Sequence, residues 1–168
     1  VTGASRGIGR GIALELAKAG FDVALCARTV EEGEQREHSS TVARSDTSPL
    51  PGSLAKTRAE VEALGRRALP VKLDLNDAAE IDRAAQQVLE AFGRVDVLVN
   101  NARYIGPGHM DFFADTPIEV LEAHLRVNVV APLRLIKAFL PQMVAQGGGL
   151  VFNLTSGAGW MESPALPG

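Results

Sequence analysis

The chain has 168 residues, 46% hydrophobic and 22% charged, a balance that suits one domain with a real core. Its net charge of −3 gives nucleic acid or an anionic membrane no electrostatic reason to bind. The single cysteine, Cys26, excludes an internal disulfide and, lying in an apolar run, reads as a small buried hydrophobe in a reducing, cytoplasmic setting. His38, His109 and His124 show no ligand spacing, so no metal site is expected, and no apolar run is read as long enough to span a bilayer.

The opening stretch, Val-Thr-Gly-Ala-Ser-Arg-Gly-Ile-Gly-Arg, sets Gly3, Gly7 and Gly9 just ahead of an apolar helical pattern at Ile8, Ile12 and Leu16. This suits a strand end that turns sharply and presents a helix N-terminus, with unpaired N–H groups and a positive dipole end, to a phosphate. Glycines allow the positive φ of such a turn and let a ligand approach the backbone. The spacing is not Gly-x-Gly-x-x-Gly, because Ile12 stands three after Gly9, and no Gly-Lys-Ser/Thr makes it a Walker loop. Taken alone it would also serve as an ordinary tight loop. A strand should lead into Thr2 and be central and buried; only Val1 of it is present, so the sequence reads as a piece of a longer polypeptide.

In chain order, a helix is expected over residues 7–19, stopped by Gly20, then a short buried strand over 21–27. In dinucleotide-binding units an acidic residue at the end of this strand favours NAD; here Ala27 and Arg28 take the place. An arginine fork matches the 2′-phosphate of NADP, and Arg6 supplies a second positive charge, unless both are merely solvated surface residues; NADP is favoured over NAD. Residues 30–53 are polar and without periodicity, and read as a mobile insertion, either folded over the adenosine end of a cofactor or simply tolerated.

Ser53 should cap a helix over residues 54–64, with Gly65 as its stop. A strand over 68–75 carries Asp74 near its carboxyl end, placed to meet an adenine amino group or to help cap the next helix, where Asp77 and Glu80 form a capping box. The helix over 78–92 has an apolar stripe at Ile81, Ala85, Val88 and Phe92 and closes at Gly93. A strand over 95–102 ends in Asn100 and Asn101, and a loop follows to residue 115. Thr116 (N-cap), Pro117 (N1) and Glu119 (N3) open a helix running to about residue 145, with a stripe at Leu121, Leu125, Asn128, Pro132, Ile136, Phe139 and Met143.

Asn128 breaks the apolar stripe, and Pro132 has no N–H for its carbonyl, so a bend is expected there, with the freed carbonyl placed to hold a water; a purely structural kink explains the same residues. A strand over 150–155 ends at Ser156, at the edge where a ligand should lie, although serine is also a common turn residue. Residues 158–168 read as the start of a loop. The alternation predicts an α/β, Rossmann-type doubly wound parallel sheet in three layers, one dinucleotide-binding domain over 1–168 present as a fragment without its first strand and C-terminal part.

Thr2-Gly3-x-x-x-Gly7-x-Gly9, Asp74, Asn100-Asn101-Ala102, Asn128 and Ser156, in this order, resemble the short-chain dehydrogenase/reductase family over the whole chain. Pro51-Gly52-Ser53 and the run at residues 63–70 resemble its hydroxysteroid-dehydrogenase-like subgroup. The resemblance implies an NADP(H)-dependent oxidoreductase passing hydride between nicotinamide and a carbonyl or secondary alcohol, working as a homo-oligomer, a dimer or tetramer. It implies that Ser156 bonds the substrate oxygen and that the Asn128 carbonyl anchors a proton-relay water. The cofactor would meet Thr2, Gly3, Ser5, Arg6, Gly7, Ile8, Gly9, Arg28, Asp74, Leu75, Asn100, Asn101 and Ala102. Arg103 stands where the family has glycine. The family's Tyr-x-x-x-Lys is not in the sequence: its one tyrosine is Tyr104, and the pair is expected just beyond residue 168. The second reading is a non-catalytic dinucleotide-binding sensor or scaffold.

Overall fold

The computed structural model describes residues 1–108 and 110–156, so the loop expected at 158–168 lies outside the described residues. Helix α1 (Gly7–Lys18) starts without a side-chain cap and ends before Gly20, whose φ of +96° no β-carbon residue adopts easily. Strand β1 (Val23–Ala27) is followed by the insertion and by α2 (Leu54–Ala63), where the Ser53 hydroxyl accepts the Lys56 N–H. Strand β2 (Ala68–Lys72) holds Pro70, which an edge strand tolerates. Helix α3 (Ala78–Phe92) keeps the expected bounds and buries Ile81, Ala84, Ala85 and Val88. Strand β3 (Val97–Asn100), α4 (Ile118–Leu125), α5 (Ala131–Ala145) and β4 (Leu150–Asn153) complete the order.

Strands β1 and β2 pair in parallel, as do β3 and β4. Val1 and Thr2 join the two pairs: Thr2 N–H donates to the Val99 carbonyl at 3.0 Å, and Cys26 N–H donates to the Val1 carbonyl at 3.0 Å. The order is therefore β2, β1, Val1–Thr2, β3, β4, and the central position expected for the strand leading into Thr2 is borne out.

Period-two alternation sorts the side chains of β1. Val23, Leu25 and Ala27 pack with Ala13, Ala17, Leu54 and Val61 of α1 and α2. Cys26 faces the other way, into a cluster with Ile81, Val88, Leu135 and Phe139 of α3 and α5. Helices on both faces of a parallel sheet make the expected three layers.

Four expectations need correction. The helix over 118–145 is interrupted by a π turn, Arg126–Val130, in which the Ala131 N–H donates to the Arg126 carbonyl. The extra residue rotates the downstream helix by about 100°. Val127, Ala131 and Leu135 are buried in place of Asn128, Pro132 and Ile136, while Phe139 and Met143 keep their places. Thr116 is not the N-cap: Pro117 holds that position, and the Thr116 hydroxyl donates back to the Phe112 carbonyl at 2.9 Å. The Asp77 side chain caps α3, but its own N–H donates to the Asp74 carbonyl, so Glu80 reaches past it to accept the Asp74 N–H at 2.7 Å. Finally, the 28-residue helical run Ile118–Ala145 is long and apolar enough, by length and composition alone, to cross a membrane; its α5 part packs on α3.

Candidate functional site

A cleft of about 560 Å³ opens at the carboxyl ends of β1, β2 and β3. In open α/β sheets ligands bind at this edge, where the strand order reverses. Thr2, Gly3, Ser5, Arg6, Gly7, Ile8 and Gly9 line its floor. Gly3 and Gly7 have φ of +70° and +54°. A β-carbon on Gly9 would stand 2.2 Å from the Gly3 carbonyl oxygen, and one on Gly3 would stand 2.7 Å from Asn101 Nδ2. The turn thus needs glycine at these two places because it folds onto itself and onto Asn101, a reason the spacing alone does not disclose. α2 and α3 spend Ser53 and Asp77 on their first N–H groups, but α1 has no side-chain cap and no acidic residue in its first turn. Its N-terminus faces the cleft.

Thr2 and Asn101 hold this floor in place. The Thr2 hydroxyl accepts the Asn101 and Ala102 N–H groups, both at 3.0 Å, and Asn101 Nδ2 donates to the Thr2 carbonyl at 2.8 Å. Both residues line the cleft, yet these groups are engaged within the protein. Asn100 is buried, does not line the cleft, and donates through Nδ2 to Asn153 Oδ1 at 2.9 Å. Asn153 is a partner that sequence reasoning missed; its signal was an amide inside an apolar strand.

Arg6, Arg28 and Arg36 line one side of the cleft. Arg6 donates to the Gly52 carbonyl at 2.8 Å, and Arg28 to the Ile105 carbonyl at 3.4 Å. Burial lowers the Arg6 pKa, Glu32 opposes this, and the neighbouring Arg28 charge adds to it. Asp74 and Leu75 line the β2 side, where Asp74 Oδ1 accepts the Asn76 N–H at 2.9 Å.

The insertion reaches the same cleft through Glu34, Arg36, Glu37, His38, Ser48 and Leu50, none of which the sequence singled out. Its two ends are tied: Leu54 N–H donates to the Thr29 carbonyl and Ala55 N–H to the Val30 carbonyl. Its far side meets the loop after β3, where Met110 N–H donates to the Ser40 carbonyl and Val42 N–H to Asp111 Oδ2.

Asn128 stands in the π turn, and its Oδ1 accepts the Tyr104 N–H at 2.7 Å. Pro132 has no N–H for the Asn128 carbonyl, so the expected bend takes the form of a π turn, a device frequent at functional sites. The Arg103 side chain is exposed, and no non-glycine residue among those described has positive φ. Ser156 follows β4 at the same sheet edge and is exposed; it does not line the cleft with the glycine turn.

A doubly wound parallel sheet with a glycine turn and an uncapped helix end at its switch point is the architecture of the Rossmann-type α/β class. The short chain dehydrogenase family model matches residues 1–51 and 41–168, and the chain belongs to that family. It is 32% identical over 155 residues to hydroxysteroid dehydrogenase-like protein 2 of Danio rerio, covering 92% of this chain and 33% of the relative. The chain thus spans about a third of that relative's length. A metagenomic short-chain oxidoreductase solved in complex with NADP is 36% identical with a TM-score of 0.69, covering 93% of this chain and 60% of that one. Carveol dehydrogenase from Mycobacterium avium, solved in complex with NAD, is 25% identical with a TM-score of 0.77, covering 98% and 56%.

Proposed function

We propose that this chain forms the cofactor-binding part of an NADP(H)-dependent oxidoreductase that passes hydride between nicotinamide and a carbonyl or secondary alcohol. The observation that carries the reading is the uncapped N-terminus of α1 at the floor of a cleft whose side holds Arg6 and Arg28. The residues fit a dinucleotide: first-turn N–H groups for the pyrophosphate, guanidiniums for a 2′-phosphate, and a buried Arg6 Nε with no partner. No carboxylate stands at the end of β1 to bond a ribose 2′-hydroxyl, which favours NADP over NAD. The bound cofactor supplies the hydride chemistry. Ser156 holds the substrate oxygen by a hydrogen bond that strengthens as charge develops there, and the Asn128 carbonyl holds a water. The reading includes a dimer or tetramer, supported by the exposed Leu133, Leu140 and Val144 on α5.

The complete gene product, assayed with NADPH or NADP and a panel of ketones and secondary alcohols, should turn over. Ser156→Ala should lower kcat by about 100-fold, the scale of one lost transition-state hydrogen bond. Unchanged turnover in that variant would remove Ser156 from the mechanism, and no turnover by the unaltered protein despite NADPH binding would favour the sensor or scaffold reading.

A further inference from the structure

We propose that Arg36, carried by the insertion, is the third cation of the 2′-phosphate site and that the insertion thereby sets cofactor choice. The proposal rests on the NADP(H) reading above. Arg36 lies eight residues beyond Arg28 in sequence, yet both line the same cleft, with Arg6 as the third guanidinium. The chain returns there because Glu34 Oε1 accepts the N–H groups of Val30 and Glu31, at 2.9 and 2.8 Å, and closes a turn. Arg36 then donates to the Arg28 carbonyl at 3.3 Å, which sets its guanidinium at the mouth of β1.

The guanidinium has capacity to spare. One terminal nitrogen serves both the Arg28 carbonyl and Glu34, while Nε is buried with no partner, as is Nε of Arg6. The ion pair with Glu34 is partly exposed and contributes little by itself, so it does not account for a buried donor left unmatched. Two nitrogens of one fork, side by side, suit two oxygens of a phosphate. The nearby acids keep their charge but are held by other donors as well: Glu37 accepts the Ser39 and Asp46 N–H groups and the Ser45 hydroxyl, and Glu34 accepts two backbone N–H groups besides Arg36. Nor is the position of Arg36 that of a tethered tail. Gly52 N–H donates to both Glu32 carboxylate oxygens, and Arg6 donates to the Gly52 carbonyl, closing the insertion onto the glycine turn.

The test is equilibrium binding to the complete gene product, read by the fluorescence of bound NADPH and NADH, with 2′-AMP as a competing probe. Arg36→Ala should raise Kd for NADPH and 2′-AMP about tenfold or more and leave NADH within about twofold, the signature of a lost charge-assisted contact to the 2′-phosphate. Arg36→Lys should recover part of the loss, and Arg36→Gln decides the matter if the alanine variant does not fold. Equal changes for both cofactors, or none, would overturn the role of Arg36. A silent Arg36→Ala beside an Arg28→Ala that loses NADPH would overturn it while leaving the NADP(H) reading intact. A wild-type protein that binds NADH as tightly as NADPH would instead overturn that reading.

Discussion

The Thr2 hydroxyl donates to the Val99 carbonyl and accepts from two N–H groups, which uses all three places a hydroxyl offers. Thr2 is 4% exposed, so water does not stand in for a lost partner. Valine has nearly the same shape but would leave the Asn101 and Ala102 N–H groups without their acceptor. Thr2→Val should therefore destabilise the fold by about 2–4 kcal/mol, and Thr2→Ser by less than half of that, as read by urea unfolding. Equal losses in the two variants would show that the methyl group, not the hydroxyl, matters. Thr2 and Asn101 also mark how far single residues are legible. The sequence shows that polar side chains stand at the turn and at a strand exit. Whether they face a ligand or one another depends on a contact nearly a hundred residues apart in the chain, and here their bonds run to one another. Arg36 was illegible for the opposite reason, since nothing in its neighbourhood repeats.

Periodicity decided which elements could be read. The α3 stripe at Ile81, Ala85 and Val88 gave its bounds, and the continuous apolar run of β1 gave a doubly covered strand. The long helix was legible as a helix but not in its facing, because the π turn at Arg126–Val130 adds a residue that no composition rule counts. The insertion carries no helix or strand among the elements; its shape comes from carboxylates that accept backbone N–H groups. Glu37 is the centre of one such knot, where hydrogen bonds from Ser45 and Ser39, joined by the Asp46 N–H, lower its pKa from 4.5 to about 2. A carboxylate lowered in this way contributes stability that is fully present above its ordinary value and is lost as pH falls through the lowered one. The knot should hold at neutral pH and loosen between about pH 4.5 and 2. A carbon-13 titration of the Glu37 carboxyl should place its midpoint near 2; a midpoint near 4.5 would mean that these bonds do not persist in solution.

At the scale of the whole molecule, strand order and layers follow from a small number of positions. Val1 and Thr2 hold the centre of the sheet, β1 divides its side chains between two clusters, and the chain crosses over by helices on both faces. This much was legible because parallel sheets admit few connections. Leu133, Leu140 and Val144 of α5 and Phe152 of β4 are left exposed, which the alternation of elements did not foretell. The cleft itself arises where the two halves of the sheet part, with the glycine turn on its floor and the insertion along its rim. Its central feature is the free N-terminus of α1, and that is open to direct measurement. In a nitrogen-15 NMR titration of the complete gene product with NADPH, the amides of Gly7, Ile8 and Gly9 should show the largest shifts, saturating together with the NADPH fluorescence. Shifts that leave these three amides unmoved while NADPH binds would place the pyrophosphate elsewhere and contradict the account.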